Sequence, residues 1–181
     1  MNYMLQKDNN FVCRIINRLD KDTAGLVIIA KNSLAANTLS KQENTRKIYH
    51  AICEGIISTP ITIDKNISTE KDENGIIIPK RLVGKENGKQ AVTYVTPVKI
   101  FENYSLVRLT LKHGRTHQIR AHLSSINHAL LGDSLYGKPS DKINHTALVC
   151  SAISLTHPTT NKTMDFSIEF PNDLNKLLIG N

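Results

Sequence analysis

The run AVTYVTPVKIFENYSLVRLTLKH, Ala91 to His113, alternates apolar and polar side chains on both sides of Glu102 and Asn103. A period of two sends successive side chains to opposite faces of an extended chain, and the β-branched and aromatic residues here fit a pleated surface. Two such stretches, Ala91 to Ile100 and Tyr104 to His113, joined by a polar Glu-Asn turn, predict an antiparallel hairpin. Outward in both directions the same pattern returns at Phe11 to Ile16, Gly25 to Lys31, Lys47 to Gly55, Ile61 to Ile67, Ile76 to Val83, Ala147 to His157 and Met164 to Phe170. A Glu-Asn-Gly turn at Glu73 to Gly75 suits a second hairpin. Three segments have helical spacing. Asn32 or Ser33 can cap a helix running to about Gln42. A second begins at Thr116, with Ile119, Leu123 and Ile126 as its apolar seam. A third follows Pro171 at the end of the chain. The expected fold class is α+β: a mixed, mainly antiparallel β-sheet with flanking helices. No repeat or linker interrupts it, so residues 1–181 read as a single domain.

At 181 residues with 40% apolar and 22% charged side chains, the chain can bury a core, which excludes disorder as its dominant state. No apolar run approaches the roughly 20 residues that span a bilayer, and MNYMLQKDNN lacks the basic head and apolar stretch of a secretory signal. A cytoplasmic chain is expected, with no membrane partner. Cys13, Cys53 and Cys150 are widely spaced in strand-like stretches and read as buried reduced thiols. The net charge of +7 favours polyanionic partners. Between Glu102 and Asp133 there is no acidic residue, whereas Arg108, Lys112, Arg115 and Arg120 are joined by His113, His117, His122 and His128. That stripe is the electrostatic pattern of nucleic-acid binding, or else a solvated basic face.

Three segments can carry chemistry. In RLDKDTAGL, Arg18 to Leu26, Asp20 stands after an apolar strand and beside an arginine that favours its ionised form, as a nucleophile or base requires; Asp20, Asp22 and Thr23 equally suit a plain turn. In HGRTHQIRAHL, His113 to Leu123, a helix starting near Thr116 would let Arg120 reach inward to a carboxylate while Arg115 and the helix start face a phosphate. His117 and His122 are five apart, off the i, i+4 register of helical metal ligands, and no metal is expected. In KIYHAICEG, Tyr49 is either a packing residue of a strand or a flat surface on which an unstacked base can lie.

Taken in order, RLDKDTAGL, KIY at Lys47 to Tyr49, GRTHQIRAHL at Gly114 to Leu123 and GDSLYG at Gly132 to Gly137 resemble the RluA-type family of RNA pseudouridine synthases, over about Phe11 to Phe170. The resemblance implies the catalytic fold of that family and conversion of specific uridines to pseudouridine in structured RNA, ribosomal or transfer, with no metal, nucleotide or redox cofactor. It makes Asp20 the catalytic aspartate and Arg18 the residue that helps displace the target nucleotide. Tyr49 becomes the residue that stacks on uracil and assists proton removal at carbon 5, and Arg120 the salt-bridge partner of the aspartate. Thr23, Arg115, His117 and Ile119 become substrate contacts. Ala24 replaces the family's usual serine.

Family members carry further strands ahead of the aspartate, and many add an S4-type domain; nineteen residues precede Asp20 here. The expectation is a catalytic domain incomplete at its N-terminus, without an S4 domain, whose exposed sheet edge a homodimer or partner chain could cover. The alternative reading is a catalytically inactive RNA-binding or RNA-chaperone module derived from the same family.

Overall fold

The computed structural model describes residues 12–179. Its strands are β1 (Arg14–Ile15), β2 (Ala24–Gly25), β3 (Ile29–Ala30), β4 (Arg46–Glu54), β5 (Ile61–Asp64), β6 (Ile67–Lys71), β7 (Ile77–Val83), β8 (Val92–Ile100), β9 (Tyr104–Leu111), β10 (Leu148–Thr156) and β11 (Thr163–Ser167). The helices are α1 (Ser33–Ser40), α2 (Gln118–Ser124) and α3 (Asn172–Ile179). The main sheet has the order β11-β10-β4-β9-β8-β5, every pair antiparallel, and β2 joins β10 in parallel. β1 and β3 form one small sheet and the β6–β7 hairpin another. The architecture is α+β with a mixed, mainly antiparallel sheet. Among the described residues no helix is long and apolar enough to cross a membrane.

Alternation along the central strands divides the core between the two faces of the sheet. Ala51 and Cys53 of β4 and Val107 and Leu109 of β9 point to one side, where Ile119 and Leu123 of α2 cover them. Ile52 and Leu106 point to the other, under Leu174 of α3. A third cluster packs α1, through Leu39, against Cys150, Ile153 and Leu155 of β10. The α1 cap is Asn32, whose side chain accepts from the Ala35 N–H at 2.8 Å.

Several expectations need correction. The stretch Gly25 to Lys31 is not one strand. The Asn17 side chain accepts from Ile28 N–H at 2.8 Å and donates to the Leu26 carbonyl at 3.3 Å, so between β2 and β3 the Leu26 carbonyl and the Ile28 N–H are held by a side chain and not by a neighbouring strand. Ile61 to Ile67 also divides: at Lys65 and Asn66 the chain leaves the main sheet, and Ile67 opens the separate hairpin. α2 starts at Gln118, two residues later than expected, because His117 takes left-handed backbone angles (φ 56°, ψ 19°) at its N-cap. Cys53 and Cys150 are buried, but Cys13 is exposed. The basic stripe is not one surface either. Arg120 and His122 lie inside, since α2 packs its whole length against the sheet, while Lys112 and Arg115 remain exposed.

Candidate active site

Gly25 is where the fold fixes the first functional loop. Its φ of 126° lies in the region glycine tolerates, and a Cβ there would overlap the carbonyl oxygen of Cys150. The absence of a side chain lets β2 close on β10, with Leu26 N–H donating to that same carbonyl at 3.0 Å. The residues just ahead then turn back, Thr23 N–H donating to the Asp20 carbonyl at 3.0 Å. Asp20 is therefore both a turn residue through its backbone and a half-buried carboxylate facing a cleft through its side chain.

The cleft holds about 290 Å³ and opens to solvent. Arg18, Asp20 and Thr23 line it from the loop, Tyr49 from β4, and Arg115, His117 and Ile119 from the segment leading into α2. Segments some hundred residues apart in sequence meet here because β4 lies between β9 and β10, the strands that lead to α2 and anchor β2. Arg120 does not line the cleft; it stands behind it, 6% exposed. Its Nη1 is 4.0 Å from Asp20 Oδ2, but its fork goes elsewhere, with Nε donating to Asp133 Oδ2 at 2.7 Å and Nη2 to Asp133 Oδ1 at 2.8 Å. A basic recess of about 430 Å³ adjoins through Gly114, Arg115 and Thr116 and adds Arg81 and Lys89.

Burial sets the protonation states. It pushes the Tyr49 phenol far above its ordinary value, helped by Cys150 and by the charge of Asp20, so the hydroxyl keeps its proton at neutral pH. Desolvation pulls His117 down, against the attraction of Asp20, and the imidazole is neutral near pH 7. Its Nδ1 lies 3.2 Å from Tyr136 Oη, which also accepts from Arg81 N–H of β7 at 2.6 Å. Burial works against the charges of Arg120 and Asp133, yet their mutual hydrogen bonds outweigh it: the guanidinium is raised and the carboxyl lowered. Sequence reasoning assigned no role to Asp133 or Tyr136, although both belong to GDSLYG; the signal available was a carboxylate in a short glycine-bounded stretch that follows the apolar Ala129 to Leu131.

The sequence profile described as RNA pseudouridylate synthase matches residues 1–125 of this chain. The chain belongs to that family. It is 35% identical over 179 residues to ribosomal large subunit pseudouridine synthase D of Neisseria meningitidis serogroup B, which covers 91% of this chain and 47% of that protein. It is 37% identical over 177 residues to the uncharacterized RNA pseudouridine synthase YhcT of Bacillus subtilis (strain 168), 93% of this chain and 57% of that one. The chain thus spans about half the length of the curated pseudouridine synthases it matches. Among solved structures, human RNA pseudouridylate synthase domain containing 1 superposes with a TM-score of 0.76 at 26% identity, over 88% of this chain and 70% of that one. Human RNA pseudouridylate synthase domain containing 4, at 22% identity and the same TM-score of 0.76, covers 97% of this chain and 78% of its own and shares the fold.

Proposed function

We propose that this chain converts uridine to pseudouridine in structured RNA, ribosomal or transfer, with Asp20 as the catalytic carboxylate. The observation that carries this reading is the convergence of Asp20, Arg18, Tyr49, Arg115 and His117 on one open cleft, with Arg120 close behind the carboxylate. In the reaction the bond from ribose C1′ to uracil N1 breaks, the base turns, and C1′ bonds to C5; the C5 proton leaves and N1 gains one. An ionised carboxylate can serve by attacking C1′, by adding to the ring or by removing a ribose proton, and each route needs it within reach of the nucleoside. Extracting a uridine from its stack costs a few kcal/mol, which stacking on Tyr49 and contacts from Arg115 and the adjoining recess offset. Arg18, exposed at the cleft rim, occupies the space the nucleotide vacates. Thr23, His117 and Ile119 shape the pocket for the extruded base and its phosphates. Since the Tyr49 phenol stays protonated, any part it takes in removing the C5 proton requires its own hydroxyl proton to leave in the same step.

The test is release of tritium from RNA labelled at uracil C5. The wild-type chain should release it and Asp20→Asn should not, while both bind RNA alike, because the amide keeps the shape and loses the base and nucleophile. Binding without release by the wild-type chain would favour an RNA-binding module.

A further inference from the structure

The GDSLYG loop holds a carboxylate that the reading above does not use. Asp133 is 0% exposed, and each of its oxygens is occupied: Oδ2 accepts from Arg120 Nε at 2.7 Å, and Oδ1 accepts from Arg120 Nη2 at 2.8 Å and from the backbone N–H groups of Leu135 and Tyr136 at 3.0 Å each. The loop is built for this arrangement. Gly132 has a φ of 75°, and a Cβ on it would run into the carbonyl of His145, while one on Gly137 would come within 2.8 Å of Ala129 Cβ. The ring of Tyr136 then lies 5.2 Å from Arg120 Cζ, within range of a cation–π contact. Fork and ring together fix the guanidinium, leaving Nη1 facing Asp20 at 4.0 Å, beyond the 2.7–2.9 Å or so of a charge-assisted hydrogen bond.

We propose that Asp133 is a positioning residue for catalysis: by holding the Arg120 fork it keeps the guanidinium at ion-pair distance from Asp20 and out of hydrogen-bond contact with it, so the catalytic carboxylate is not tied up by Arg120. The proposal rests on Asp20 being the catalytic carboxylate. Its physical content is a charge balance. Arg120 alone would be a bare buried cation beside Asp20 and would pair with it through both nitrogens; with Asp133 in place, Asp20 faces a nearly compensated pair. The other charged or titratable groups around the cleft are His117 and Arg115 ahead of α2, Tyr49 and Lys47 on β4, and Arg18 in the loop of Asp20 itself. None of these bonds to Asp133.

The experiment follows Asp20 directly, by carbon NMR titration of its carboxyl in the whole chain, alongside single-turnover tritium release and RNA affinity. In Asp133→Asn the Asp20 midpoint should fall by at least about half a pH unit, as an uncompensated cation favours its charged form. Tritium release should slow by about ten-fold or more while RNA affinity changes by less than about two-fold. Asp133→Glu, which keeps the charge, should return the midpoint to its wild-type position. A lower melting temperature with an unmoved midpoint and rate would overturn the proposal and leave Asp133 a purely structural residue. If Asp133→Asn does not fold, the Arg120 side-chain N–H resonances of the wild-type chain and of Asp20→Asn decide: equal protection from exchange in both supports the clamp, and loss of protection in Asp20→Asn overturns it. Should the wild-type chain release no tritium, the catalytic reading fails on its own, while the Asp20 midpoint still reports whether Asp133 governs the charge.

Discussion

Tyr49 stands at the junction of packing and the proposed recognition of the base: half-buried on β4, it lines the cleft beside Asp20 and keeps its proton because burial disfavours the phenolate. A stacking role depends on the ring and a proton-transfer role on the hydroxyl, and two substitutions separate them. Tyr49→Ala should weaken RNA binding by about 1–3 kcal/mol, the usual cost of losing a base–aromatic stack. Tyr49→Phe should bind like the wild-type chain, and any loss it shows in tritium release measures what the hydroxyl adds. Equal binding by the alanine variant, measured by fluorescence anisotropy, would remove stacking from the account. At this scale the sequence told half the story. Arg18, Asp20, Tyr49, Arg115 and His117 were legible because each sits in a short motif whose order along the chain is distinctive. Asp133 was not, because its partner lies thirteen residues away on a helix, and nothing local says that an aspartate after a glycine is wholly buried. The ion pair expected between Arg120 and Asp20 is present at 4.0 Å, but the guanidinium fork goes to Asp133, and for the same reason this was not foreseen: helix geometry gives the direction of Arg120, but not that a second carboxylate waits there.

The elements that bring these residues together depend on a few backbone choices. β2 is only two residues long, and its parallel pairing with β10 at Ala24 and Gly25 is what suspends the Asp20 loop over the cleft. Gly25→Ala should therefore damage the site as well as the fold. A side chain there meets both an unfavourable φ and the Cys150 carbonyl, so stability should fall by at least about 2 kcal/mol by denaturant unfolding. Tritium release should be lost well below the melting temperature, because the loop of Asp20 can no longer dock. Wild-type stability in this variant would mean that β2 is not held as described. The long strands β4, β8, β9 and β10 were readable from period-two alternation, and so was the α1 cap. Gly25 to Lys31 looked like one strand because its apolar run is continuous; that Asn17, nine to eleven residues earlier, would supply the hydrogen bonds of its middle is a tertiary fact. The late start of α2 has a similar cause. The Gln118 side chain accepts from Arg115 N–H at 3.0 Å and donates to the Val92 carbonyl at 3.0 Å, so the turn through His117 is tied to β8 before the helix begins.

Across the whole molecule the two faces of the sheet divide the work: α2 backs the cleft on one, and α3 closes the other. The charge of +7 is felt where cations gather beside the cleft, at exposed Arg115 and Lys89 and half-buried Arg81, with exposed Lys112 three residues ahead of Arg115 in the chain. Substituting Lys112 and Arg115 together by Gln should weaken binding to any structured RNA and reduce the slope of log affinity against log salt by about two charges' worth. An unchanged slope would take these residues out of the RNA path. The interior members of the stripe, Arg120 and His122, make no such contribution, and the run of cationic residues read from sequence overstated the basic surface because it could not tell buried side chains from solvated ones; the net charge is unaffected, since buried Arg120 is balanced by buried Asp133. The account stands or falls on the chemistry at Asp20. RNA incubated with the whole chain, digested to nucleosides and separated by chromatography, should contain pseudouridine in an amount equal to the tritium released from uracil C5, and neither should appear with Asp20→Asn. Pseudouridine formed at the wild-type rate by Asp20→Asn, or none formed by a wild-type chain that binds the RNA, would contradict it.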